Sequence, residues 1–206
     1  MELTPKKMDY YRLVLNIIST LEKKFQTDEL AFLALTSKIE NVLRDKIAFE
    51  LHKELSKNKI ICREWTNKKA TKLKSDLAIL NMNSEPELII EFKAHSSISG
   101  IGEWAKPIQK DYEKNRKLYN DAEIITILFA NFIDQIPSNQ IFNHSIKYYE
   151  KLEKSVKRKI TLTNQSEVWK NTIEKIGMKC DKEITINAGQ FENVNVYINT
   201  FIHRIN

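Results

Sequence analysis

Apolar side chains recur every three to four residues near the start of the chain. Met8, Tyr11, Val14, Leu15, Ile18, Leu21 and Phe25 share one face, which predicts an amphipathic helix after Pro5, over about 5–26. Thr27-Asp28-Glu29 can cap a second, longer helix from about 28 to 56, with Leu33, Leu43, Ile47, Leu51 and Leu55 on its apolar side. The period then shortens. Ile60 to Thr66 predicts a strand, Ser75 to Leu80 a second and Glu87 to Lys93 a third, with the turn-forming stretch Asn81 to Pro86 between the last two. Gly100 and Gly102 mark a loop, Pro107 suits a first helical position, and that helix runs to about Tyr119. Ile124 to Phe129 is apolar throughout, as a buried strand is. Helices near 143–158 and 165–177 follow. Val194, Val196, Ile198, Thr200 and Ile202 then alternate with more polar positions as a last strand, which Gly189 turns back on Glu183 to Ala188.

This order predicts an α/β fold: a mixed sheet covered by helices. No linker, repeat or low-complexity tract interrupts it, so a single domain over 1–206 is expected. The chain has 206 residues, enough to bury a core without disulfides or metal staples. Four Gly and four Pro exclude collagen-like and linker-rich classes. Cys62 and Cys180 are far apart and form no C-x-x-C pair, which argues against a disulfide framework or a cysteine zinc site. The polar, basic N-terminus does not read as a signal peptide, and the apolar run Ile124 to Ile133 is about half a membrane span. A soluble, cytoplasmic protein is expected. Its 33 basic and 27 acidic residues leave a net charge of +6, which permits a polyanionic partner without requiring one.

One constellation carries chemistry. If the second and third strands form a hairpin centred between Asn83 and Ser84, Asp76 lies opposite Glu91, at about 5 Å between Cβ atoms. Glu91 and Lys93 are two residues apart and share a face. Leu77, Ile79, Leu88, Ile89 and Ile90 mark the surroundings as buried, where charges are costly unless paired or bound to metal. Asp and Glu are hard oxygen ligands suited to Mg²⁺ or Mn²⁺, which lowers the pKa of water bound to it. Lys93 is placed to orient a water or to stabilise charge on a reacting phosphate. The bland alternative is an ordinary cross-strand ion pair.

Asp76 with Glu91-Phe92-Lys93 resembles the PD-(D/E)XK nuclease superfamily. The resemblance covers about residues 28–131, because the helix–three strands–helix–strand order also matches that superfamily's core. Ser75 stands where the motif's name has Pro. The resemblance implies a restriction-endonuclease-like α-β-β-β-α-β core, with the N-terminal helix and the stretch 140–206 as additions. It also implies Mg²⁺-dependent phosphodiester hydrolysis, with Asp76 and Glu91 as metal ligands and Lys93 acting on the water. The superfamily often supplies another carboxylate from the preceding helix. Glu40 is the candidate, since it lies within that helix's apolar stripe; Arg44, one turn on, is its bland partner, and Asp45 looks solvated. Gln109 could touch a scissile phosphate. Some relatives carry Gln-x-x-x-Tyr there, but Gln109 and Tyr112 are one residue too close for that pattern.

Lys68, Lys69, Lys72 and Lys74 lead into the Asp76 strand and are candidates for phosphate contact, with Trp65 near enough to stack on a base. A second basic run, Lys151, Lys154, Lys157, Arg158 and Lys159, reads as solvated surface. His52, His95, His144 and His203 show no metal spacing, and no P-loop, dinucleotide fingerprint or base-reading module occurs. The leading expectation is a DNA endonuclease of restriction or anti-foreign-DNA type, as a possible homodimer, with RNA not excluded as substrate. The alternatives are an RNase of the same fold and a binding or scaffold protein that has lost catalysis.

Overall fold

The computed structural model describes residues 8–66, 74–96, 101–119 and 121–205. In chain order its elements are α1 (Tyr10–Ser19), α2 (Glu29–Thr36), α3 (Ile39–Leu55), β1 (Ile60–Thr66), β2 (Lys74–Leu80), β3 (Pro86–His95), α4 (Ile101–Leu118), β4 (Glu123–Ile133), α5 (Tyr149–Lys157), α6 (Leu162–Glu174), β5 (Lys182–Phe191) and β6 (Val194–Ile205). Short 3₁₀ turns lie at Leu21–Lys24 and Gln140–His144. The strands form one mixed sheet in the order β1-β2-β3-β4-β6-β5. β3 and β4 run parallel, with α4 as their crossover, and the remaining neighbours are antiparallel.

Both faces of the sheet are covered. On one, Leu77, Ile79, Leu88, Ile90, Phe92, Ile125, Ile127 and Phe129 pack under α1, α2 and α3. On the other, Ile108, Trp169 and Ile173 cover Leu128, Ala130 and Phe201, while Tyr119 covers Ala78, Leu80, Ile89 and Ile124. Burial on both sides explains why β3 and β4 read as nearly continuous apolar runs. Among the described residues no helix is long and apolar enough to cross a membrane.

The β2–β3 hairpin has the register expected from the sequence. Leu77 pairs with Ile90, Ala78 with Ile89 and Ile79 with Leu88, before a bulge at Ile79/Leu80. Asn81 sets the turn: its Oδ1 accepts from the backbone N–H groups of Asn83 (2.9 Å) and Glu85 (3.0 Å). Ser84 takes a left-handed conformation, φ 64°.

Several elements differ from the sequence expectation. The helix expected over about 5–26 ends at Ser19, where Thr20 turns its hydroxyl back to the carbonyls of Asn16 and Ile17, and Leu21–Lys24 is a 3₁₀ turn; the helix expected near 143–158 begins only at Tyr149. The long helix 28–56 is two helices. Thr36 and Ser37 turn their hydroxyls back to the carbonyls of Phe32 (2.8 Å) and Leu33 (2.6 Å), and Ser37 is extended. Asp28 adopts φ 60° at the start of α2 without capping it; its Oδ1 accepts instead from the N–H of Gln190 (2.7 Å). α4 begins at Ile101, so Pro107 lies inside the helix rather than at its first position. The last hairpin turns at Glu192-Asn193, both at positive φ, while Gly189 (φ 98°) sits at a bulge in β5. A Cβ at Gly189 would lie 2.5 Å from Asp28 Oδ1, so close approach of α2 requires glycine there.

Leu51 of α3 is fully buried, whereas Met82 in the β2–β3 turn is 68% exposed. Leu51→Ala is expected to destabilise the chain by about 2–5 kcal/mol. Met82→Ala should stay within about 0.5 kcal/mol of the parent, both read by urea denaturation.

Candidate active site

β2 and β3 are central strands, and their odd and even positions face different helices. Ala78 and Ile89 face α4, so Glu91 and Lys93, two and four residues beyond Ile89, face it too. Asp76, one step past the Leu77–Ile90 pair, joins them on that side. Its Oδ2 accepts from the backbone N–H of Phe92 at 2.8 Å, which ties it across the ladder beside Glu91.

Glu91 is only 3% exposed. Its Oε1 accepts from Asn115 Nδ2 (2.8 Å) and from Lys114 Nζ (3.1 Å), both on α4. Burial is the largest influence on this carboxyl, and the charge of Asp76 adds to it. Together they outweigh Asn115 and Lys114 and push its pKa up to about 7. Lys93 Nζ pairs with Asp111 Oδ2 at 2.8 Å. Burial opposes the charged form of Lys93, but Asp111, Asp76 and Glu91 prevail and hold its pKa above the ordinary lysine value. Lys114 also reaches Asp111 Oδ1 (3.4 Å) and the carbonyl of Lys74 (3.1 Å).

Glu40 occupies the first turn of α3 because the chain breaks at Ser37-Lys38 just before it. Its Oε2 accepts from the N–H of Ala94 at 3.0 Å, joining the helix to the end of β3. Burial raises its pKa, and Asp76 raises it further against the opposing pull of Lys93 and the Ala94 hydrogen bond. The expected Arg44 partner turns elsewhere: Arg44 bonds Asp45 (3.0 Å) and Glu64 (3.5 Å). Asp45 is 41% exposed at its side chain and also pairs with Arg63.

The structure therefore gathers Asp76, Glu91 and Lys93, with Glu40 at the margin. Gln109 is exposed on α4 and donates to Glu113 (3.2 Å) rather than to this cluster. Lys74 is exposed and reaches Glu64 at 3.7 Å; Lys68, Lys69 and Lys72 lie outside the described residues. Trp65 packs on Tyr119, ring centroids 5.7 Å apart, and so forms part of the wall under α4. His95, the last residue of β3, is buried with its ring edge-on to Trp169. Asp111, Lys114 and Asn115 went unnoticed in the sequence. Their signal was spacing: Asn115 is seven residues from Ile108 on α4's buried side, a polar residue in an apolar stripe, with Asp111 and Lys114 beside it.

Asp76, Glu91 and Asp111 together face Lys93 and Lys114, so carboxylates exceed ammoniums in a desolvated setting. Among the described residues no group of three or more His, Cys, Asp or Glu side chains is arranged to hold a metal ion. The carboxylate pair Asp76 and Glu91 nevertheless fits a hard divalent cation, because Mg²⁺ is commonly held by one or two carboxylates with water and phosphate oxygens completing its shell. Its charge would offset the burial and the Asp76 repulsion that hold Glu91's pKa high. No protein-family model, curated protein or solved structure matches this chain.

Glu91 is neutral in the folded protein well above the pH at which it ionises when unfolded. The folded state thus binds the extra proton between pH 4.5 and about 7, and this group's contribution to stability is lost as pH rises through that window. Glu91→Gln keeps an acceptor for Asn115 and removes the charge. It is expected to stabilise the chelator-treated protein by about 1–3 kcal/mol at pH 8, with little change at pH 5. Thermal melts at the two pH values check this.

Proposed function

We propose that this chain is a divalent-metal-dependent phosphodiester hydrolase acting on nucleic acid, with DNA the favoured substrate. The observation that carries the reading is Glu91: a nearly inaccessible carboxylate pressed against Asp76, with Lys93 on the same face. A structural ion pair has no need of a second like charge, whereas metal-assisted phosphoryl chemistry does. The α3-β1-β2-β3-α4-β4 order, with β3 parallel to β4, supports the restriction-endonuclease-like reading of the core.

Asp76 and Glu91 would hold Mg²⁺ or Mn²⁺. The cation supplies charge neutralisation at the scissile phosphate and makes water more acidic. Asn115 and Lys114 fix the orientation of Glu91 through its Oε1. Lys93 stays protonated at neutral pH because Asp111 and its neighbours favour the ammonium. It therefore acts as a positive charge that orients water and meets the phosphate, not as a general base. Glu40 acts on the end of β3, which carries Lys93, through Ala94. In the reaction, water oxygen forms a new bond to phosphorus as the bond to the leaving sugar oxygen breaks; the water gives up one proton to solvent and the leaving oxygen takes one from solvent, so the sum is hydrolysis. A cytoplasmic anti-foreign-DNA role, with two copies cutting two strands, is the biological setting that suits such an enzyme.

The test is cleavage of plasmid and oligonucleotide substrates, both DNA and RNA, with Mg²⁺ or Mn²⁺. Glu91→Ala, Asp76→Ala and Lys93→Ala are each expected to lower the rate by about 10²–10⁴-fold, and chelation should abolish it. Metal binding should weaken as pH falls below about 7, because the metal-free Glu91 must lose a proton to ligate the cation, read by the metal concentration needed for half-maximal rate at each pH. Equal activity in all variants excludes this site. Tight nucleic-acid binding without cleavage of any substrate favours a silent binding module, and cleavage confined to RNA makes the enzyme an RNase.

A further inference from the structure

On the α3 side of the end of β3, one residue past Lys93, lies a cleft of about 240 Å³, walled by Ser37, Lys38, Glu40, Ala94, Asn131 and Tyr148 among others. Glu40 belongs to both places: it touches the end of β3 and forms one wall of the cleft. The volume is below the ~300–1,000 Å³ of pockets for drug-sized ligands, which suits one planar ring system and excludes a duplex.

The chemistry of the rim is distinctive. Tyr148 is 45% exposed and sits at φ 66°, a conformation that bulky residues rarely adopt. Two ammoniums lie over its ring, Lys147 at 5.6 Å and Lys151 at 5.8 Å from the centroid, as cation–π contacts that a stacked base would displace. The neighbouring backbone is tied down, with Lys147 N–H donating to Leu35 O at 2.6 Å. Lys38, which also lines the cleft, is exposed. Within the cleft, Asn131 is 4% exposed; its Nδ2 donates to Ala34 O at 2.7 Å, and its buried Oδ1 has no hydrogen-bond partner among the described residues. A partly exposed aromatic ring with two lysines that can move from it to phosphates is the combination that binds single-stranded nucleic acid, where bases stack and ammoniums follow the phosphates.

We propose that this cleft receives one unpaired nucleobase of the substrate strand, stacked on Tyr148, with Glu40 linking it to the Asp76, Glu91 and Lys93 cluster that takes the phosphate. The substrate class is then nucleic acid with an unpaired nucleotide at the cleavage point: a single strand, a splayed end or an extruded base. This rests on the hydrolase reading for its choice of ligand, but its test does not depend on cleavage.

Binding is measured by fluorescence anisotropy in the Glu91→Gln background, using a short labelled single-stranded DNA, its RNA counterpart and a blunt duplex of the same sequence. Tyr148→Ala should weaken single-strand binding about 5–100-fold, the loss of one base–aromatic stack, and leave duplex binding unchanged. Tyr148→Phe, which keeps the ring, should restore it. The double variant Lys147→Gln/Lys151→Gln leaves the ring in place. It should lower the salt dependence of single-strand binding by about 1.4 units of slope, ~0.7 for each of the two phosphate contacts. A 2-aminopurine in the strand should be quenched on binding to the parent and not to Tyr148→Ala. Equal binding of single strand and duplex, or unchanged affinity and quenching in Tyr148→Ala, overturns the proposal. If no protein cleaves but the Tyr148 effects appear, the cleft stands and the hydrolase reading falls; cleavage with no Tyr148 effect gives the converse.

Discussion

Two carboxylates meet across the β2–β3 ladder where water is nearly absent, and the rest of the molecule is arranged around that contact. Its position depends on register. A slip of one residue would send Glu91 to the opposite face, among the Leu43, Ile47 and Leu51 side chains of α3, and expose Phe92 to the polar side. The Asn81 turn and the apolar pairs Leu77–Ile90 and Ile79–Leu88 make that slip costly, so packing enforces a geometry that electrostatics alone would reject.

The surrounding groups compensate without cancelling. Asn115 and Lys114 stabilise the ionised form of Glu91, Asp111 holds Lys93, and the N–H of Phe92 holds Asp76. Burial first, and the Asp76 charge second, remain visible in the raised pKa of Glu91. A buried pair placed only for stability would be matched charge for charge, or replaced by apolar side chains. The excess of carboxyl groups over ammoniums is the feature on which the proposed cation-assisted chemistry rests.

The elements that bear the cluster were legible because each has a strong local signature. β1 begins and ends where the alternation does, and the hairpin centre followed from a turn-rich stretch between two apolar runs. The split between α2 and α3 was hidden, because it rests on hydroxyl groups of Thr36 and Ser37 bonding backward, which leaves the apolar period intact. The last hairpin misled for a related reason. Glycine is the usual mark of a turn, yet Gly189 is required by contact with Asp28, a residue 161 positions earlier in the chain. Among the site residues, Asp76, Glu91, Lys93 and Glu40 could be found from their neighbours in sequence. Asp111, Lys114 and Asn115 matter through a helix crossing over the sheet, and only the tertiary placement of α4 shows what they face.

That helix carries three of the cluster's polar groups within five residues, Asp111 to Asn115, and two turns further along its neighbour Tyr119 leans on Trp65 of the edge strand β1. A helix moves as a stiff rod. Any force on β1 or on the Trp65 ring that tilts this rod shifts the Asp111, Lys114 and Asn115 side chains in concert, changing the charge on Glu91 and the grip on Lys93 together. The rim of the sheet is thereby mechanically geared to its acid–base centre.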